Sequence, residues 1–251
     1  MNVDFGAFCD EFYISVRLFL KLGIAPERET LLHFFERLRK QYPGLRKLRR
    51  RDDDSLILEE ESDDAGSRRW FRLDPDSLRF GHYMPTDLAD VRRFADFVLS
   101  QAPHHLTLSE IDFDHMEVVY GFDLMYRGNH DQIVAETLMP GHLDSGVIAG
   151  DEAAHIVDAQ PSIGIALTPQ CDVQAYFEVK SRTSTYEVRT GQFEPQPISV
   201  LLTVRKYWGV DTPPSLEHGC AMLFDKADAL AADRAVPHFV NPLAAAIASR
   251  P

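Results

Sequence analysis

Near the start of the chain, residues 12–22 (FYISVRLFLKL) are rich in aromatic and β-branched side chains and read as a β-strand. Gly23 and Pro26 punctuate it. The period then changes. Over 26–42, Leu31, Leu32, Phe34, Phe35, Leu38 and Tyr42 recur at helical spacing, with Arg28, Glu29, Glu36, Arg37, Arg39 and Lys40 on the other side. Pro26 suits the first turn of this helix, and Pro43-Gly44 suits its end. Four short strands are expected next, over 45–51, 55–61, 68–74 and 78–84, separated by the turn signals DDDS, SDDAGS and PDS. Thr86 or Asp87 then caps a second helix with Leu88, Val91, Phe94, Ala95, Val98 and Leu99 on one face, which Pro103 ends.

The second half runs through a similar order. Residues 115–128 alternate strictly, with Met116, Val118, Tyr120, Phe122, Leu124 and Tyr126 on one face. Asn129 can cap a short helix closed by Pro140-Gly141, and the glycine-rich run 141–153 is a loop or a hairpin. Residues 161–169, 172–183 and 198–208 read as three strands. A last helix starts after Pro213-Pro214-Ser215, with interruptions expected at Pro237 and Pro242.

The predicted fold is α+β. Two β-α-β-β-β-β-α units, 1–110 and a longer 111–251 with a C-terminal helix and tail, share one long curved antiparallel sheet with helices on one face. No sequence identity links the halves. This order resembles the duplicated fold of the TATA-binding protein, and also helix-grip folds, in which a curved sheet wraps a long C-terminal helix. The pieces SRRWFRLDPDSLRF and PISVLLTVRKYW are similar in style to a sporadically distributed bacterial protein family of unknown function. These resemblances imply a fold and carry no activity.

Composition adds charge to this picture. The 251 residues include 26 Lys+Arg and 39 Asp+Glu, a net charge of −13. Residues 1–110 hold 17 basic and 20 acidic side chains and residues 111–251 hold 9 and 19, so most of the imbalance belongs to the second half. That acidity disfavours nucleic acid as a partner and suits a soluble surface or a basic protein partner. Cys9, Cys171 and Cys220 form no metal or disulfide spacing. The N-terminus lacks a basic, apolar leader, and no run approaches the roughly 20 apolar residues of a membrane span. A cytoplasmic location and no membrane contact are therefore expected.

Candidate chemistry is sparse. Arg46, Lys47, Arg49, Arg50 and Arg51 form the one cationic run, which Asp52, Asp53 and Asp54 largely neutralise. On a strand its side chains point to both faces, as a charged edge does. Arg68 and Arg69 on a neighbouring strand extend the run into a candidate basic patch of Arg46, Arg49, Arg50, Arg68 and Arg69, and a nucleic-acid-associated protein using Arg46–Arg51 is a second alternative function. For metals, Asp112, Asp114, His115, His130, Asp131, His142, Asp144 and His155 are the local candidates, and a metal-dependent hydrolase built on them is one alternative function. No nucleophile elbow, Walker loop or dinucleotide fingerprint occurs. Tyr120, Phe122, Tyr126, Tyr176, Tyr207 and Trp208 lie on second-half strands and would line an apolar cleft if their sheet face were open. The leading expectation is a non-enzymatic binding protein without a cofactor. It would engage a partner protein or apolar small molecule through the sheet face, and a homodimer through an exposed edge is compatible with it.

Overall fold

A computed structural model of the protein describes residues 4–24, 27–142, 155–209 and 212–250. The α+β class is as expected. The first half runs β1 (Glu11–Leu20), α1 (Arg28–Gln41), β2 (Lys47–Arg50), β3 (Leu56–Glu59), β4 (Arg68–Asp74), β5 (Ser77–Tyr83) and α2 (Leu88–Leu106). The second runs β6 (Phe113–Tyr126), α3 (His130–Leu138), α4 (Pro140–His142), β7 (Ser162–Ala166), β8 (Val173–Lys180), α5 (Thr185–Thr190) and β9 (Gln196–Tyr207). A helical stretch closes it: α6 (Leu216–Leu230), a π-helical segment Ala231–Val240, and α7 (Asn241–Ala248).

All nine described strands form one open sheet, β2-β3-β4-β5-β1-β6-β9-β8-β7. In each half the first strand leads into a helix, and a meander then returns to pair with that first strand: β5 against β1, β9 against β6. The return has four strands in the first half and three described strands in the second. The glycine-rich run 141–153 lies almost wholly outside the described residues. The halves meet where β1 pairs antiparallel with β6.

Register decides which side chains the helices cover. Phe12, Ile14, Val16 and Leu18 stand opposite Phe122, Tyr120, Val118 and Met116, and all eight are buried. The same face continues through Phe80, Phe71 and Leu58 on one side and Leu202 and Phe177 on the other. The helices pack there. Phe34 of α1 meets Phe71 edge-on at 5.3 Å, Phe94 of α2 meets Phe80 at 5.8 Å, and Phe239 stacks on Phe177 at 5.7 Å. From α6, Asp228 accepts the Tyr120 hydroxyl.

Three departures from the sequence expectation have local causes. Helix α2 runs past Pro103 to Leu106: the proline sits in the last turn, and Thr107 ends the helix in the left-handed region (φ 56°) with its N–H on Pro103 O. The C-terminal helix is not interrupted at Pro237; the chain widens to π spacing around it, which accommodates a residue with no N–H to give. Helix α5 was not expected, although Ser184 and Glu187 form a capping box at its start.

Candidate binding face

The other face of the sheet carries the odd-numbered side chains of β1, and no described helix packs on it. Tyr13, Arg17 and Phe19 are half-buried there, flanked by Tyr83 and Arg79 of β5. Beyond β5, Arg68, Trp70 and Arg72 of β4 share the face, then Ile57 and Glu59 of β3 and Arg49 of β2. Across the seam the face continues through His115, Glu117, Arg205, Tyr207 and Tyr176. Glycine at 121 is required by close approach: the Tyr13 ring lies across β6 there, and a Cβ would fall inside it.

Guanidinium groups on this face lie over rings. Arg17 sits 3.9 Å above Phe19, Arg68 4.6 Å above Tyr83, and Arg205 5.1 Å above Tyr176. The rings in turn touch one another: Tyr13 and Tyr83 at 5.3 Å, Phe19 stacked on His115 at 4.0 Å, and His115 against Tyr207 at 5.2 Å. Some arginines are also paired with carboxylates: Arg49 with Glu59, Arg72 with Asp53 and Asp74, Arg205 with Glu117. Burial opposes ionisation of Glu117, but His115 and Arg205 outweigh it and hold its carboxyl below the usual range. Arg68 and Arg79 make no ion pair among the described residues. Over the first half of the face these side chains enclose a hollow of about 350 Å³.

The structure redistributes the residues singled out from the sequence. Tyr120 and Phe122 are not at a cleft rim; strand alternation turns them under the helices, and both are fully buried. Tyr126 is on the same covered side, its hydroxyl accepting from Arg250 at 3.2 Å. Trp208 packs edge-on against Phe113. Tyr176 and Tyr207 do lie on the open face. The basic patch is divided by the same alternation. Arg49 and Arg68 share the open face, whereas Arg69 points to the helix side and pairs with Glu60 and Asp90. Arg50 pairs with Asp54 at the hairpin tip, and Arg46 donates to Pro43 O.

The described metal candidates do not converge. Asp112 caps its own turn through Ser109, and Asp114 holds His115 at 2.8 Å. His130 is buried between Tyr126 O and Arg182 N, and Asp131 accepts from Ala159 N at 2.9 Å. His155 is exposed, the His142 side chain and Asp144 lie outside the described residues, and no described group of three metal-ligating side chains is present.

One arrangement was invisible in the sequence. Ser67 Oγ lies 2.9 Å from His82 Nε2, and Asp90 Oδ2 is 3.9 Å from Nδ1 of the same ring. A nucleophile here would need donors for an oxyanion. The Ser67 N–H, however, is already given to Asp63 at 2.8 Å, and Asp90 is held by Arg69 and Arg93. The arrangement ties the β3–β4 turn onto β5. Residues 67, 82 and 90 sit on separate elements, so no local spacing signalled them.

His82 and His130 have a measurable consequence. Burial lowers the pKa of both, with the Arg69 charge adding to the effect at His82. Below the ordinary histidine value of about 6.5 the unfolded chain takes up protons that the folded chain resists, so stability falls as pH falls through that value. The perturbed carboxylates titrate mostly lower. The urea midpoint is expected to drop steadily from about pH 7.5 to about pH 5.5; a flat or rising midpoint would contradict it.

No described helix is long and apolar enough to cross a membrane. The fold and face together define an antiparallel α+β protein with one helix-covered sheet surface and one on which no described helix packs. No protein-family model and no curated protein matches the chain.

Proposed function

We propose that the protein is a binding module that receives a ligand or partner on the uncovered face of its sheet. One observation carries this reading: the hollow on that face is lined by five guanidiniums, two of which, Arg68 and Arg79, lie over rings and have no carboxylate partner among the described residues. Charge left uncompensated on a half-buried, concave surface is the usual character of a recognition site. It also changes the expected occupant, because the face is cationic and aromatic where the sequence alone pointed to an apolar cleft.

The reading is tested by thermal shift against a panel of small anions and planar molecules. A true ligand at about 100 times its Kd adds about 2.7 kcal/mol, or about 5–10 °C for a domain of this size. That shift is expected to vanish in Arg68→Gln for a ligand seated in the hollow, or in Tyr207→Ala for one seated across the seam, and to survive Arg39→Ala on the exposed side of α1. Ligands whose shift survives both open-face substitutions but is lost in Ser67→Ala would move the function to the helix side and overturn the proposal.

A further inference from the structure

We infer that the hollow over the first half of the open face takes a small phosphorylated ligand carrying a flat ring, of mononucleotide size; this rests on the binding reading above. Its volume of about 350 Å³ is at the lower end of the range for small-molecule sites. Five arginines line it; Arg49 and Arg72 are paired with Glu59, Asp53 and Asp74, and Arg51, Arg68 and Arg79 are in no ion pair among the described residues. Arginine's planar fork matches phosphate oxygens two at a time and stacks on rings, which a lysine does not do.

The cations on this side of the seam also crowd one another. Burial lowers the proton affinity of Arg17, and the Arg79 charge lowers it further. An anion between such groups relieves that repulsion. Two donors of residues that line the hollow, Arg79 Nε and Trp70 Nε1, are buried with no acceptor among the described residues. The ring component follows from the floor of the site. Arg68 is 4.6 Å over Tyr83 and Arg79 is 5.9 Å from Trp70, with Trp70 and Tyr83 6.3 Å apart. A guanidinium plane held on one ring offers its opposite side to a second.

A longer polyanion fits less well. Past the seam the same face presents Glu117, Asp123 and Glu178 among Arg205, Lys180 and Arg182, so its cations are offset there, in the half of the chain that carries 9 basic and 19 acidic residues. A strand of nucleic acid extending from the hollow would run into that field, whereas a mononucleotide would not reach it.

The test is equilibrium dialysis of the full chain with the ribonucleoside 5′-monophosphates, the matching nucleosides, inorganic phosphate and a single-stranded oligonucleotide. Fluorescence in a Trp208→Phe background is a second readout, since it leaves Trp70 as the one tryptophan. At least one monophosphate is expected to bind about tenfold or more tightly than its nucleoside or phosphate alone and to change Trp70 emission. Arg68→Gln and Arg79→Gln should each weaken it about tenfold. Arg68→Lys, which keeps the charge and loses the fork, should restore only part, and Arg39→Gln on the exposed side of α1 should change nothing. Variants with an unchanged thermal midpoint exclude misfolding as the cause.

Monophosphates no tighter than phosphate would overturn the inference, as would an oligonucleotide whose affinity grows with its length. If no monophosphate binds, yet another ligand's thermal shift is lost in Tyr207→Ala, the inference fails and the open-face reading stands. If no open-face substitution affects any ligand, both fail.

Discussion

Replacing Phe71 by alanine is expected to cost about 3–5 kcal/mol of stability and to lower the thermal midpoint by about 6–20 °C. Phe71 is fully buried in the middle of β4, between Leu58 of β3 and Phe80 of β5. Its ring is met edge-on by Phe34 at 5.3 Å and by Phe35 at 6.0 Å, so it is where α1 docks on the sheet. Truncation removes the ring's transfer free energy and leaves a cavity, because three strands and a helix cannot all close on it. The neighbouring Arg72→Ala is the control. It sits one residue away on the opposite face, half-buried, and its ion pairs with Asp53 and Asp74 are of the kind worth about 0–1 kcal/mol. Chemical denaturation of both variants separates the faces. A Phe71→Ala loss below about 1 kcal/mol, or an Arg72→Ala loss as large as that of Phe71→Ala, would contradict the assignment of helices to one side.

The alternation that separates Phe71 from Arg72 was legible in the sequence, and so were most of the elements. Strand β4 matches its expected span, and α1 and α2 show their apolar stripes plainly. What the sequence could not show was which face the helices cover. Met116, Val118, Tyr120 and Phe122 form one stripe on β6 by spacing alone, but a stripe becomes core or cleft only when a helix is or is not laid on it. That depends on β1 pairing with β6 and on Asp228 reaching Tyr120, contacts between distant parts of the sequence.

The same argument explains the cations. A run such as 46–51 looks like one patch in a sequence and is not one on a strand, since period 2 sends consecutive side chains to opposite faces. The hollow is assembled the other way, from residues spaced by two within strands and joined by register across strands: Arg68, Trp70 and Arg72 on β4, Arg79 and Tyr83 on β5, Tyr13 on β1. Each of these positions looks unremarkable locally. The one local hint is the alternation RxWxR itself, cationic and aromatic on one face of a strand whose other face carries Phe71 and Leu73.

Residues 1–110 expressed alone are expected not to fold as a stable monomer, although they contain a full β-α-β4-α order. Strand β1 is central in the intact sheet, and without β6 it becomes an edge along its whole length. Phe12, Ile14, Val16 and Leu18 would each lose the partner across the seam. Giving up about half the burial of four such side chains costs about 3–6 kcal/mol, against a total stability of about 5–15 kcal/mol for a domain. Helix α2 would also lose α6, which it meets through Arg92, bonded to Asp225 and Asp228 at 2.7 Å each. The exposed β1 is long, uncharged over most of its length and free of proline, so it is a template for pairing. Because β1 and β6 are antiparallel, a second copy of β1 can take the place of β6 in a two-fold arrangement. Sizing chromatography is therefore expected to show dimer or aggregate for 1–110. Co-expression with 111–251 should recover a one-to-one complex, and the full chain should unfold in one transition by fluorescence and circular dichroism alike. A monomeric 1–110 with its own cooperative unfolding would mean that the seam joins two independent domains, and that the hollow on the open face, built entirely from the first half, could be studied without the second.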